Sequence, residues 1–527
     1  MNNHKDFNTD DRSEARLKMP PNSPRLHRKS RVERDEFLTI GETEAETFEK
    51  NGAQKTASHD SVIPRPKLGG RGRHRRLSGR QVVGLSFLIP FAVLALSFIA
   101  MGFFPFGERT PLTIDLYHQY APFLVQMRDK MTGDFNLFYS WNGGLGNNFY
   151  ALFAYYLSSP LNLLLFLFPA AWVTEAVTLL TLLKVGAAGA TFAYFLRNAF
   201  CIWGEQTVCL DPPVKETRYS RTATSFAVVM TSSFFALSGF MLTYSWDIMW
   251  LDAIALMPLM MLGLHRLIRD GRFMTYVLSL AAILLCNYYI ALFICIFTIF
   301  YYPVCYFSLA PYLKGAAQKP GRHFIMRTLQ VAGASLLGAG VSAILSIPTY
   351  LSLQLTSAST DKFPEVWAMR FSMFDFIGRH LPAMPPSIRD GLPNVYTGVL
   401  TFALIPLYIG AKHIRLGEKL LHLIFLVFMF ISFNLNGLDF IWHGMHYPNQ
   451  LPYRYSFVYS FLVLIMCFRA LTQVRSFKAR TLAMAFGGGI LYAILAEAIS
   501  PDLVDHTSAY VAIVLLAIYF LIALTLV

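Results

Sequence analysis

One carboxylate in this chain stands in a setting suited to proton transfer. Asp115 opens the run DLYHQY, beside Tyr117, His118, Gln119 and Tyr120, with Ile114 and Leu116 flanking it. A carboxylate among apolar and aromatic neighbours can act as a general base toward a hydroxyl. Taken alone it equally fits the N-cap of a helix over residues 117–131. The run WNGGLGNN brings Trp141 and Asn142 into a tight turn. It does not open a helix in a βαβ unit, so a nucleotide-phosphate loop is excluded. In SWDIMWLD, Trp246 and Trp250 could stack on the apolar face of a sugar and Asp247 could orient a sugar hydroxyl. Tyr117 and His118 are further candidates to contact such a ligand. Asp252 fits a helix cap, and its spacing from Asp247 does not put both acids on one helical face. A shared metal or proton is therefore not expected there.

Cations that could meet a phosphate are Arg454 in LPYRYSF, then Arg379 and His380, then His443 and His446. Arg454 also fits an interfacial anchor between Tyr453 and Tyr455. Lys184 lies near the middle of an apolar run, where an ammonium needs a partner. It is either paired with a carboxylate that fixes helix packing or part of a transport path. No CxxC pair, His-rich cluster or DxD pair occurs, so no obligatory metal, cofactor or disulfide framework is expected. Cys201 and Cys209 share one polar loop, and the other four cysteines lie in apolar runs.

These residues need a scaffold, and composition says which kind. Of 527 residues 54% are hydrophobic and only 15% charged, against about 25% charged in soluble domains; mean hydropathy is +0.43. Repeated apolar runs identify an all-α polytopic membrane protein. The net charge of +13 sits mainly in the tail and in short loops, where it sets topology; nucleic-acid binding is excluded as the reading of that charge. Residues 1–81 are polar and basic, lack the apolar content for a core, and read as a disordered cytoplasmic tail. Residues 82–527 form the transmembrane domain. Its first apolar run is long enough to span, and reads as an uncleaved anchor.

About twelve spans are predicted: 82–101, 172–196, 222–242, 252–267, a hairpin of two within 273–302, 328–351, 396–411, 420–433, 455–468, 481–499 and 508–527. The segment 150–168 decides the parity. If it crossed, the basic loops around 266–272, 314–327, 412–419 and 469–480 would all fall outside. A re-entrant or juxtamembrane helix, broken at Ser158-Ser159-Pro160, puts them all in the cytoplasm, as the positive-inside rule requires. The large loops 103–171, 352–395 and 434–454 are then external. The protein is expected in a membrane with its N-terminus cytoplasmic and its active face on the opposite side.

The order of an outward first span, a large external loop with an early Asp, a Pro-broken re-entrant helix and a second span ending in Arg resembles the GT-C superfamily of polyprenyl-phosphate-dependent glycosyltransferases. DLYHQYAPFL, YSWNGGLGNNFYALFAYYLSSPLNLL, ALSGFMLTYSWDIMWLDAIALMPL, CNYYIA and LPYRYSF look like the YfhO-like bacterial membrane protein family, from the first span to nearly the end of the chain. The resemblance implies inverting transfer of a sugar from undecaprenyl phosphate to a cell-envelope glycopolymer acceptor such as lipoteichoic acid. Asp115 matches the early catalytic Asp. The phosphate would lie near Arg454, with the lipid tail in a groove between spans. Family members usually continue into further spans and an external C-terminal domain, whereas this sequence stops at Val527 inside an apolar run. The rival classes are a lipid-linked sugar flippase or exporter, for which Lys184 would be the key residue, and a non-catalytic envelope-assembly protein.

Overall fold

The computed structural model describes residues 77–104, 106–133, 136–200, 218–356, 362–448 and 450–527. Residues 1–76 of the expected tail, the Cys201/Cys209 loop and residues 357–361 of the second large loop lie outside the described residues.

Helix α1 (Gly79–Ala100) starts at a capping box in which Ser78 and Gln81 each accept from the other's backbone N–H, satisfying two donors that the first turn would otherwise leave open. A π-turn, Leu116–Tyr120, leads into α2 (Ala121–Thr132). A two-residue hairpin pairs β1 (Tyr139–Ser140) with β2 (Asn147–Asn148) across the WNGGLG turn. Helix α3 (Phe149–Tyr156) follows, then a 3₁₀ segment, Pro160–Leu167. The two are bent by 98° at the SSP break, where Ser159 caps the second piece through Leu161 N. Pro160 takes the first turn, where its missing N–H costs nothing.

The helices that follow are α4 (Val173–Phe200), α5 (Arg218–Ala236), the short α6 (Gly239–Thr243) and α7 (Ile248–Asp270). After them come α8 (Met274–Cys286), α9 (Tyr288–Leu309), α10 (Pro320–Leu353) and α11 (Met373–Gly378). The chain continues through α12 (Thr401–Gly410), α13 (Leu416–Asn434), α14 (Asn436–Trp442) and α15 (Ser456–Leu471), and finishes with α16 (Ala479–Ile499) and α17 (His506–Leu526). All twelve expected spans have a helical counterpart. Nine helices among the described residues are long and apolar enough to cross a membrane, whereas α8, α12 and α15 are apolar helices of 10–17 residues. At 1.5 Å per residue these three are shorter than a hydrocarbon core of about 30 Å.

Helices α7 and α15 are buried on nearly every side and form the centre, with α4, α8 and α9 packed on α7 and α12 on α15. Helices α1, α10, α16 and α17 are peripheral and expose Leu, Ile, Val and Met, as lipid-facing helices must. Gly263 lets α7 approach α8 so closely that a Cβ would collide with the Tyr276 backbone.

α1 and α4 run antiparallel, with Arg197 against Gly79 and Gly189 against Ser86. The intervening segment 101–172 therefore leaves and rejoins the bundle at one end. With each long helix reversing the one before it, the loops after α5, α8, α10 and α13 fall to that end and the basic residues Arg266, Arg269, Arg272, Lys412, Arg415, Arg475, Lys478 and Arg480 fall to the other. The 98° bend within 150–168 is that of a broken span or a re-entrant loop.

Candidate active site

Five segments meet at the loop-bearing end around a cavity of about 220 Å³. Asp115 enters from the π-turn, Tyr155 and Tyr156 from α3, Trp246 and Trp250 from the turn into α7, Arg389 from the second large loop, and Arg454 from the third. Asp115 is the N-cap residue of the π-turn, yet its side chain caps nothing there. It accepts instead from Gln119 Nε2 at 3.3 Å, which leaves carboxylate capacity for a ligand.

The backbone around this cavity is held in costly conformations. Six non-glycine residues among those described have positive φ, and four of them flank the two charged groups: Ile114 (49°) beside Asp115, and Gln450 (61°), Leu451 (52°) and Tyr453 (55°) before Arg454. A β-branched residue in the left-handed region is a strong outlier, and such strain clusters at functional sites. The surroundings hold it in place. Leu451 N donates to Ile388 O at 2.8 Å, joining the second and third loops. The Tyr244 hydroxyl lies 3.1 Å from Ser387 O and 3.3 Å from Pro452 O, bridging the same two loops.

Arg454 is fixed from several sides. Its Nε donates to Leu451 O at 3.1 Å, Nη1 to Tyr289 Oη at 3.4 Å and Nη2 to Gln450 O at 3.3 Å. Its guanidinium lies over the rings of Trp250 and Tyr289, at 5.7 and 5.4 Å from their centroids, a geometry in which aromatic faces stabilise a cation. Opposite, Tyr120 donates to Asp247 Oδ1 at 3.0 Å and stacks on Trp246 at 6.3 Å. Asp247 is fully buried, and its Oδ2 has no hydrogen-bond partner among the described residues. Burial pushes its carboxyl well above the usual carboxylate range, against the Tyr120 hydrogen bond and the Arg454 charge. Burial and then the Asp247 charge also push the Tyr120 phenol up, so at neutral pH it stays a donor.

A family model described as bacterial membrane protein YfhO matches residues 86–210 and 216–527. The chain belongs to the YfhO family. No curated protein and no solved structure matches it.

In this YfhO family member the expected residues fall into three groups. Asp115, Trp246, Trp250 and Arg454 share the cavity wall, with Asp247 hydrogen-bonded directly behind it. Tyr117, His118, Trp141 and Asn142 are exposed on the same end but do not line that cavity. Trp141 and Asn142 border a separate open cleft of about 360 Å³ with Gln126, Asp129 and Lys130. Arg379, His380 and Lys184 form the third group, and all three have internal partners. Arg379 donates to Pro385 O (2.7 Å), Pro393 O (3.5 Å) and Asn394 Oδ1 (2.9 Å), holding its own loop folded; burial lowers its pKa to about 10. His380 is buried between the Phe376 and Ile377 carbonyls and Tyr459 Oη, the last at 3.0 Å. Lys184 pairs with Asp252 at 2.7 Å and donates to Ile248 O at 3.0 Å. Asp252, within α7 and so not a cap, also accepts from Ser159 Oγ at 2.8 Å. The SSP break thus docks on a buried ion pair.

Arg389, Tyr120, Tyr155, Tyr156 and Gln450 reach the cavity without having been singled out from sequence. For Arg389 the only local signal was its loop, since Arg379 and His380 carry similar chemistry nearby. A second cavity, of about 770 Å³, adjoins the first and shares Tyr155 and Arg454 with it. It runs between the first turn of α9 and the last turn of α10, past Leu292, Tyr350 and Leu353, to His443 and His446.

Proposed function

We propose that this protein is a membrane glycosyltransferase. It moves a sugar from an undecaprenyl-phosphate-linked donor to a cell-envelope glycopolymer, such as lipoteichoic acid, on the extracytoplasmic face of a bacterial plasma membrane. The observation that carries this reading is that Asp115 and Arg454 wall one cavity of about 220 Å³. Asp115 takes the proton of the acceptor hydroxyl as its oxygen attacks the anomeric carbon. The bond from that carbon to the phosphate oxygen breaks, the electron pair leaves on phosphate, and Arg454 stabilises the charge that develops. Attack opposite the leaving group inverts the anomeric centre. Trp246 and Trp250 offer faces for the sugar, and Arg389 a second positive charge. The basic loops at the far end support an extracytoplasmic site by the positive-inside rule. An exporter would require Lys184 to change partners, and its pairing with Asp252 supports a packing role instead.

The test is a transfer assay with purified protein and an extract of polyprenyl-phosphate sugars, comparing wild type with Asp115→Asn. Consumption of one donor by wild type and its loss in the variant, at equal protein level, is the expected result. Equal consumption by both sinks the assignment of Asp115 as base.

A further inference from the structure

His443 ends α14 in an arrangement that the reaction above does not use. Its Nδ1 lies 2.8 Å from Asp439 O and 3.3 Å from Asp439 Oδ1. Both are acceptors, so Nδ1 carries a hydrogen, and as an imidazolium the ring would donate from Nε2 as well. The Asp439 carboxylate is itself held by Arg370 Nη1 at 2.6 Å and Tyr455 Oη at 3.1 Å. Burial alone would raise its pKa, but the hydrogen bond and charge of His443, then the charge of Arg370, hold it below the ordinary value. A histidine oriented by an ionised carboxylate is built to present its other nitrogen. That nitrogen, Nε2, is buried and has no partner among the described residues, on a side chain only 1% exposed. His443 lines the larger cavity, and Arg454 lines it too.

A buried polar atom left without a partner is costly unless a ligand satisfies it. The remaining walls are mostly apolar or aromatic, with Leu292, Leu353, Tyr288 and Tyr350 among them, and Gln354, Thr356 and His446 complete the lining. A cationic fork and an imidazole on the wall of an apolar groove suit a phosphate carried on a hydrocarbon chain. We infer that His443, oriented by Asp439, is a second ligand of a lipid-linked phosphate, acting with Arg454, and that the groove along α9 and α10 takes the first part of an isoprenoid chain. This rests on the donor class proposed above.

The test uses the full chain in phosphatidylcholine nanodiscs, titrated with decaprenyl phosphate, decaprenol and phosphatidic acid, with binding followed by tryptophan fluorescence. Wild type is expected to prefer decaprenyl phosphate over both others. His443→Asn keeps an amide where Nδ1 lies but has nothing at Nε2, and is expected to bind decaprenyl phosphate ~10-fold more weakly with decaprenol unchanged. His443→Gln, whose amide reaches the Nε2 position, is expected to recover part of the loss, and it carries the test if the Asn variant fails to fold. Unchanged phosphate preference in both His443 variants overturns the inference and leaves the Asp115 reaction standing. Equal loss of phosphate and alcohol binding also overturns it, because the ring would then only shape the groove. Phosphatidic acid binding as well as decaprenyl phosphate overturns the isoprenoid assignment. No binding of decaprenyl phosphate by wild type overturns both the inference and the donor class.

Discussion

Two acid–base pairs in this protein lie at opposite extremes. Lys184 and Asp252 touch at 2.7 Å inside the bundle, with Ile248 O and Ser159 Oγ completing their shells. Asp115 and Arg454 stand on the wall of an open cavity, on backbone segments flanked by left-handed residues. The first pair has used its charges on each other, so its contribution is to geometry: it locks α4, α7 and the bent 150–168 segment together. The members of the second face a cavity instead of each other, with strained backbone around them. Charge paired inside the bundle organises structure, and charge on a cavity wall can meet a ligand.

The largest test of that contrast is Asp115→Asn. Loss of a positioned general base should cut transfer by ~10²–10⁴-fold while expression and detergent stability hold, read by donor consumption and size-exclusion profile. Lys184→Met should do the reverse. Stranding the buried Asp252 carboxylate is expected to destabilise by about 3–5 kcal/mol, seen as a lower thermal midpoint. The double variant Lys184→Met/Asp252→Leu should recover most of it. If Lys184→Met is stable but inactive, the two pairs are not distinct in the way described.

Protonating a buried, satisfied group probes the closed kind of site further. Burial lowers the His380 pKa to about 4, despite the carbonyls of Phe376 and Ile377. Because this lies below the unfolded value of about 6.5, the unfolded chain binds the proton first. The stability that neutral His380 supports is therefore present above about pH 6.5 and is lost as pH falls toward about 4, by at most about 3 kcal/mol. A thermal-midpoint profile against pH should show that slope, and His380→Gln should flatten it. The smallest expected effect lies at the open site: Ile114→Gly relieves a left-handed β-branched residue and should raise stability by about 1 kcal/mol at most. Turnover should fall because Asp115 is held less firmly, with KM little changed. A variant that gains stability at full turnover would show that the strain has no part in positioning.

The spans, the break before Pro160 and the shared polar end were legible because each rests on local rules: apolar run length, missing proline donors and loop charge. The family motifs carried Asp115 and Arg454. The division between Arg379 and Arg389 was not legible. Both lie in one loop, and only the fold shows that Arg379 binds Pro385 and Asn394 while Arg389 reaches the cavity. The Tyr120–Asp247 hydrogen bond joins residues 127 positions apart, and no period or spacing signals it. Three of the twelve expected spans are short: α15 is enclosed by other helices, whereas α8 exposes Leu278 and α12 exposes Ile409.

The Lys184–Asp252 contact also bears on how the chain is made. Its ammonium leaves the ribosome within α4, well before the carboxylate of α7 that neutralises it. A lone ammonium at that depth opposes release into lipid. Helix α4 is therefore expected to stay beside the insertion machinery until α7 arrives. The helices then partition as a group, and Ser159 can dock the bent segment only after they have done so.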